Sequence, residues 1–228
     1  MALAPVFPSV HRLLKPLFPD CLWQGASDRP TLALTYDDGP HPNYTPELLA
    51  VLARYHVTAN FFWLGSWVHH APEVAKAVAD QGHWLGLHGY THRSFPCLSD
   101  QELHQDLKRT QEAIAQACEL DPHQIKDVRP PNGLFTPHTL ALLRQWHYRP
   151  VMWTVVPEDW VCPGVETVVQ RVLRQICNGA VLVLHDGPSG GEDVAAVTDR
   201  LLPKLLAQGY QFVTIDTLWC QHAASFNS

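Results

Sequence analysis

The chain has 228 residues, 46% of them hydrophobic, with a formal net charge of -6. That length and apolar content suit one domain with a sizeable core, and the acidic balance, with no Lys/Arg cluster, argues against nucleic acid or an anionic membrane surface as partner. No apolar run reaches the roughly 20 residues that a membrane-spanning helix needs.

In chain order, residues 1-29 are apolar but interrupted by Pro5, Pro8, Pro16 and Pro19. They lack a basic start and an unbroken apolar run of signal-peptide length. They read as a lead-in segment packed on the domain, and the missing export signals favour a cytoplasmic location. Strand patterns then fall at 31-36, 58-64, 83-88, 126-129, 150-155, 180-185 and 211-215. Amphipathic helical patterns alternate with them. The first covers 46-55, with Thr45 as N-cap and Pro46 at the first helical position. The second runs from Pro72 to 81 and stops at Gly82, and the third covers 100-118 behind a Ser99/Glu102 capping box. The others are 137-146, 165-177 and 194-208, the last ended by Gly209.

Repeated strand then helix implies a parallel sheet. Closing it predicts an α/β fold of the distorted (β/α)7 TIM-like barrel type in a single domain, 30-218, followed by a C-terminal tail, 219-228. An open doubly wound sheet is the alternative, but no Gly-rich nucleotide fingerprint follows the first strand. Six cysteines, at 21, 97, 118, 162, 177 and 220, show no Cys-x-x-Cys spacing and read as mostly buried thiols.

Reactive residues collect where these strands end. Asp37 and Asp38 follow the first, His88 and His92 end the third, Arg129 ends the fourth, Asp159 follows the fifth and His185 ends the sixth. In a parallel barrel those ends share the face on which active sites are built. Two imidazoles and one carboxylate, His88, His92 and Asp38, make a three-ligand set that leaves positions open for water and substrate. The same set serves non-haem Fe(II) oxygenases, so the ligands alone do not name the chemistry. Taken singly, Arg129 and Asp159 read as an ion pair, His185 as a core histidine, and Trp63, Trp153 and Trp160 as barrel core.

Five motifs together resemble the polysaccharide deacetylases of carbohydrate esterase family four, which share the NodB-like catalytic domain. They are Thr35-Tyr36-Asp37-Asp38-Gly39-Pro40, His88-Gly89-Tyr90-Thr91-His92, Arg129-Pro130-Pro131-Asn132-Gly133, Val156-Pro157-Glu158-Asp159-Trp160 and Val183-Leu184-His185-Asp186. The resemblance implies that Asp38, His88 and His92 hold one divalent metal, zinc before cobalt or another ion, and that Asp37 is the general base. It implies that His185 is the general acid, that Arg129 orients Asp37 and that Asp159 holds Arg129. It also implies that the backbone N-H at Asn132 meets the oxyanion and that Trp160, Val183 and Leu184 wall an acetyl pocket. Gly89 stands where the family usually has Ser or Thr, a hydroxyl that helps fix the histidine loop, and Val183 stands where Leu is common. The implied substrate is an acetylated amino-sugar oligosaccharide or glycan, handled by a monomer. An O-acetyl esterase of xylan-type glycans, a hydrolase of a non-sugar C-N bond and a non-catalytic sugar-binding barrel are the other readings.

Overall fold

A computed structural model describes residues 12-224. Its elements are β1 (Thr31–Asp37), α1 (Tyr44–Arg54), β2 (Asn60–Trp63), α2 (Gly65–His70), α3 (Pro72–Asp80), β3 (Trp84–Leu87), α4 (Asp100–Cys118), β4 (Asp127–Val128), α5 (Pro137–Gln145), β5 (Arg149–Pro150), α6 (Val165–Gln175), β6 (Ala180–His185), α7 (Gly191–Ala207), β7 (Gln211–Phe212) and α8 (Ile215–Ala224). All the strand pairs are parallel, in the order β5-β4-β3-β2-β1-β6. An isolated Val155–Leu182 bridge joins the chain after β5 to β6, which curls the sheet into the distorted (β/α)7 barrel.

Strand β1 is buried along its whole length, with β6 on one edge and β7 then β2 on the other. Where β7 and β2 diverge, the fully buried Asn60 amide donates to Leu34 O and Val213 O and accepts from the Ile215 N-H. One side chain therefore satisfies the backbone groups that the splayed strands leave open. At the same, amino-terminal end of the parallel strands Asp127, also fully buried, accepts from Arg149 and from the indoles of Trp84 and Trp219.

Helix α4 begins with the expected capping box, Ser99 with Glu102. Thr45 is not an N-cap, because α1 starts at Tyr44. Its hydroxyl is instead committed to the buried Asp186 carboxylate at 2.6 Å. The fifth strand pairs only at Arg149–Pro150, where Pro150 has no N-H to donate. Beyond it the chain bridges to Leu22 through Val151, so the lead-in segment from residue 12 packs on the sheet through buried Cys21, Leu22 and Trp23. Residues 1-11 and 225-228 of the lead-in and tail lie outside the described residues. The boundary drawn at 218 falls inside α8, whose Ile215 and Leu218 are buried. The thiols are not mostly buried, since only Cys21 and Cys118 are. No helix among the described residues is long and apolar enough to cross a membrane.

Candidate active site

Period-two alternation along β1 sends Thr35 and Asp37 to one face and Tyr36 to the other, where its hydroxyl meets Thr198 of α7 at 2.8 Å. Asp37 ends the strand almost fully buried. The next residue, Asp38, takes a left-handed φ of 73°, which Asp tolerates better than most side chains. The turn closes through Gly39–Pro40. A Cβ on Gly39 would lie 2.3 Å from an Asp186 carboxylate oxygen, so only glycine fits there.

Asp38 Oδ1 lies 3.5 Å from His88 Nε2 and 3.4 Å from His92 Nε2, and one donor atom from each of the three residues falls within 4.8 Å of the others. His88 Nδ1 is 2.8 Å from the Arg129 carbonyl. A carbonyl only accepts, so Nδ1 carries the proton and Nε2 presents its lone pair towards Asp38. Burial pushes the His88 pKa down to about 3, which keeps the imidazole neutral and able to ligate. Asp38 Oδ1 is buried and has no hydrogen-bond partner among the described residues. An isolated buried carboxylate oxygen is costly, and a cation placed between it and the two lone pairs would satisfy all three. The donor set therefore fits a divalent metal.

Arg129 is fully buried beside this set. It donates to Asp37 Oδ1 at 2.5 Å, to Thr35 Oγ1 at 2.8 Å and to Met152 O at 3.2 Å, with its guanidinium 4.1 Å from the Phe62 ring centroid. Burial raises the Asp37 pKa, and the Arg129 charge offsets this only in part. With Oδ1 held, Oδ2 is left 3.9 Å from His88 Nε2.

Asp159 does not reach Arg129, contrary to the sequence expectation. Its Oδ1 is 2.9 Å from His185 Nδ1 and its Oδ2 accepts from the His185 backbone N-H at 2.7 Å. The short helical turn Asp159–Val161 packs against the end of β6, which brings this carboxylate to His185. Burial disfavours the imidazolium, but Asp159 and the more distant Asp38 and Asp37 outweigh it and raise the His185 pKa to about 9.

Asp37, Asp38, His88, His92 and His185 line a cavity of about 360 Å³ together with Asn132, Gly133, Trp153, Val156, Trp160, Val183 and Ser189, with Arg129 and Asp159 behind its wall. Leu184 is not among them. Alternation along β6 puts Val183 and His185 on the cavity face and Leu184, fully buried, in the core behind it. Trp63 is core as expected, whereas Trp153 and Trp160 are half-exposed cavity walls, and Trp160 stands edge-on to His185 at 5.2 Å. Asn132 adopts a left-handed φ of 57°, and among the described residues its backbone N-H makes no hydrogen bond.

Sequence reasoning read Trp153 as core, quoted Val156 and Gly133 in motifs without giving them a role, and passed over Ser189; all four line the cavity. It also gave no role to Asp186, which is fully buried and whose N-H donates to Asp37 O. Burial, reinforced by Asp38 and Asp37 and opposed by the Thr45 hydrogen bond, raises the Asp186 pKa to about 7. Thr35 could have been found, because it lies two residues before Asp37 on the same strand face.

Comparison with known proteins places this arrangement. The polysaccharide deacetylase family model matches residues 24–151. A peptidoglycan-N-acetylglucosamine deacetylase of Bacillus cereus is 32% identical over 201 residues, covering 86% of this chain and 91% of its own. A chitooligosaccharide deacetylase of a Bradyrhizobium species is 37% identical over 190 residues, covering 78% of this chain and 85% of its own. Among solved structures, PdaA of Bacillus subtilis, a family 4 carbohydrate esterase, has a TM-score of 0.82 at 28% identity, covering 91% of this chain and 88% of that one.

Proposed function

This chain belongs to the polysaccharide deacetylases of carbohydrate esterase family four, and from that premise we propose that it hydrolyses the acetamide of N-acetylated glucosamine-containing glycans, releasing acetate. The observation that carries the reading is the position of the unpartnered Asp38 oxygen between two imidazole nitrogens, with a separate acid and a separate base on either side.

Asp38, His88 and His92 would hold the metal, for which zinc is the proposed ion. When bound it would supply Lewis acidity, polarising the acetyl carbonyl and making water easier to deprotonate. Asp37, fixed through Oδ1 by Arg129, takes the proton of the attacking water on Oδ2. The free Asn132 N-H donates to the oxyanion. His185, fixed through Nδ1 by Asp159, carries its transferable proton on Nε2 and delivers it to the departing sugar nitrogen. Trp153, Val156, Trp160 and Val183 exclude water from the acetyl methyl.

The proposed chemistry needs no residue from a second copy, and a monomer is the proposed unit. The relatives named above are deacetylases of peptidoglycan N-acetylglucosamine and of chitooligosaccharides, which supports a glycan of that kind as substrate. The test is a substrate panel: chitooligosaccharides, peptidoglycan fragments, O-acetylated xylan and a cyclic amide, each assayed by mass spectrometry of the product. Loss of acetyl groups from the amino-sugar glycans alone agrees with the proposal. Turnover only of xylan or of the cyclic amide would contradict it.

A further inference from the structure

The segment His88-Gly89-Tyr90-Thr91-His92 carries two of the three donor residues, and its backbone bends sharply between them. Gly89 has no side chain and a φ of 82°, and His92 has a left-handed φ of 60°. Glycine takes such a φ freely, but the His92 conformation persists only where the surroundings over-determine it. What surrounds it here is Tyr90, gripped from two helices. Asp106, on α4, accepts the Tyr90 N-H at Oδ1, 2.8 Å away. Arg109, one helical turn nearby on α4, places its guanidinium 3.6 Å from the Tyr90 ring centroid. On the other side the Ser66 N-H of α2 donates to Tyr90 O at 3.0 Å and the Gly65 N-H donates to Gly89 O at 3.1 Å. The preceding Leu64 N-H donates to Gly39 O, beside Asp38, at 3.1 Å. Consecutive amides at the start of α2 therefore tie both donor-bearing loops to one another. Among the described residues Asp106 is the only side chain that holds the backbone inside the histidine loop by a hydrogen bond. Its Oδ1 also lies 3.1 Å from where a Gly89 Cβ would be, filling the space that a side chain there would occupy.

We propose that Asp106 is a positioning residue for the metal site: by holding the Tyr90 N-H against α4 it keeps the His88–His92 loop in the bend that converges both Nε2 atoms on Asp38. It touches neither substrate nor metal. The proposal rests on the metal-site reading given above, and its test separates the two. Zinc(II) affinity is measured on metal-stripped protein by competition with a chromophoric chelator, alongside the thermal melt of the same stripped protein.

Asp106→Ala is expected to bind zinc about 10- to 100-fold more weakly, the usual effect of removing a group that orients a ligand, while the stripped protein melts as wild type does. Asp106→Asn, which keeps an acceptor oxygen, is expected to restore most of that affinity. Wild-type affinity in Asp106→Ala would overturn the proposal, and so would an equal loss in Asp106→Asn, which would make charge rather than the hydrogen bond decisive. Should Asp106→Ala not fold, Asp106→Glu displaces the acceptor by one methylene: weaker zinc at an unchanged melt supports the proposal, and unchanged affinity overturns it. Wild-type protein that takes up no zinc would overturn the metal site itself, and the proposal with it.

Discussion

Asp159 holds His185 at two points, with Oδ1 2.9 Å from Nδ1 and Oδ2 2.7 Å from the backbone nitrogen. Asparagine can reproduce one acceptor but not both, and it carries no charge to sustain the imidazolium. Asp159→Asn is therefore expected to lower kcat by roughly 100-fold or more, the usual weight of a positioned general acid. Because Asp159 is the main partner holding the His185 pKa up, the alkaline limb of the kcat profile is expected to move to lower pH in the variant. A pH profile of both proteins checks the two effects together. An unmoved alkaline limb would mean that another group is the acid.

The Asp37–Arg129 pair separates chemistry from metal binding. Asp37→Asn is expected to keep the metal and lose turnover, whereas His88→Ala is expected to lose both, as metal content measured beside activity will show. Asp37→Asn also leaves a fully buried guanidinium without its counter-charge, which costs about 3 to 5 kcal/mol in comparable cases. Adding Arg129→Met to Asp37→Asn is expected to recover part of that stability without recovering activity, as read by urea unfolding.

Much of this was legible in the sequence, and what was not has physical causes. The ligand triad, Asp37 and His185 stand at strand ends, and a parallel barrel maps strand ends onto one face whatever the packing details. The partner of Asp159 was not legible, because an ion-pair partner depends on how a short turn packs against β6. Leu184 was misplaced although the alternation of β6 was available: with His185 on the cavity face, its neighbour must face the core. Helices α2 and α8 went unread, α2 because six residues hold too few turns to show a period. That short helix nevertheless ties the loops that bear Asp38, His88 and His92.

His83 gives the fold a pH dependence independent of catalysis. Its Nδ1 accepts the Ala59 N-H at 3.1 Å, and burial lowers its pKa from 6.5 to about 4. Between those two values the unfolded chain binds a proton that the folded chain refuses. Stability from this group is thus fully present above about 6.5 and is lost as the pH falls towards 4. Urea midpoints measured across that window are expected to fall with pH, and less steeply in His83→Gln. Equal slopes in the two proteins would show that His83 is not the group responsible.

Asp127 gathers Arg149 and the indoles of Trp84 and Trp219 at the end of the sheet opposite the cavity. Asp127→Ala removes an acceptor from both indole N-H groups and one of the two carboxylates paired with the partly buried Arg149, which keeps Asp216 at 2.9 Å, and is expected to cost about 3 kcal/mol. Because the residue lies away from the reacting groups, kcat of the folded fraction is expected to stay near wild type. Calorimetry paired with kinetics below the melting range separates these effects.

The most direct measurement is acetate release from short N-acetylglucosamine oligomers by protein in three states: as purified, stripped with chelator, and reloaded with zinc, with metal content determined in each. The account expects release that disappears on stripping and returns with about one zinc per chain, the stoichiometry of a single three-ligand site. Undiminished release from protein shown to be free of metal, or no release from protein shown to hold it, would contradict the account.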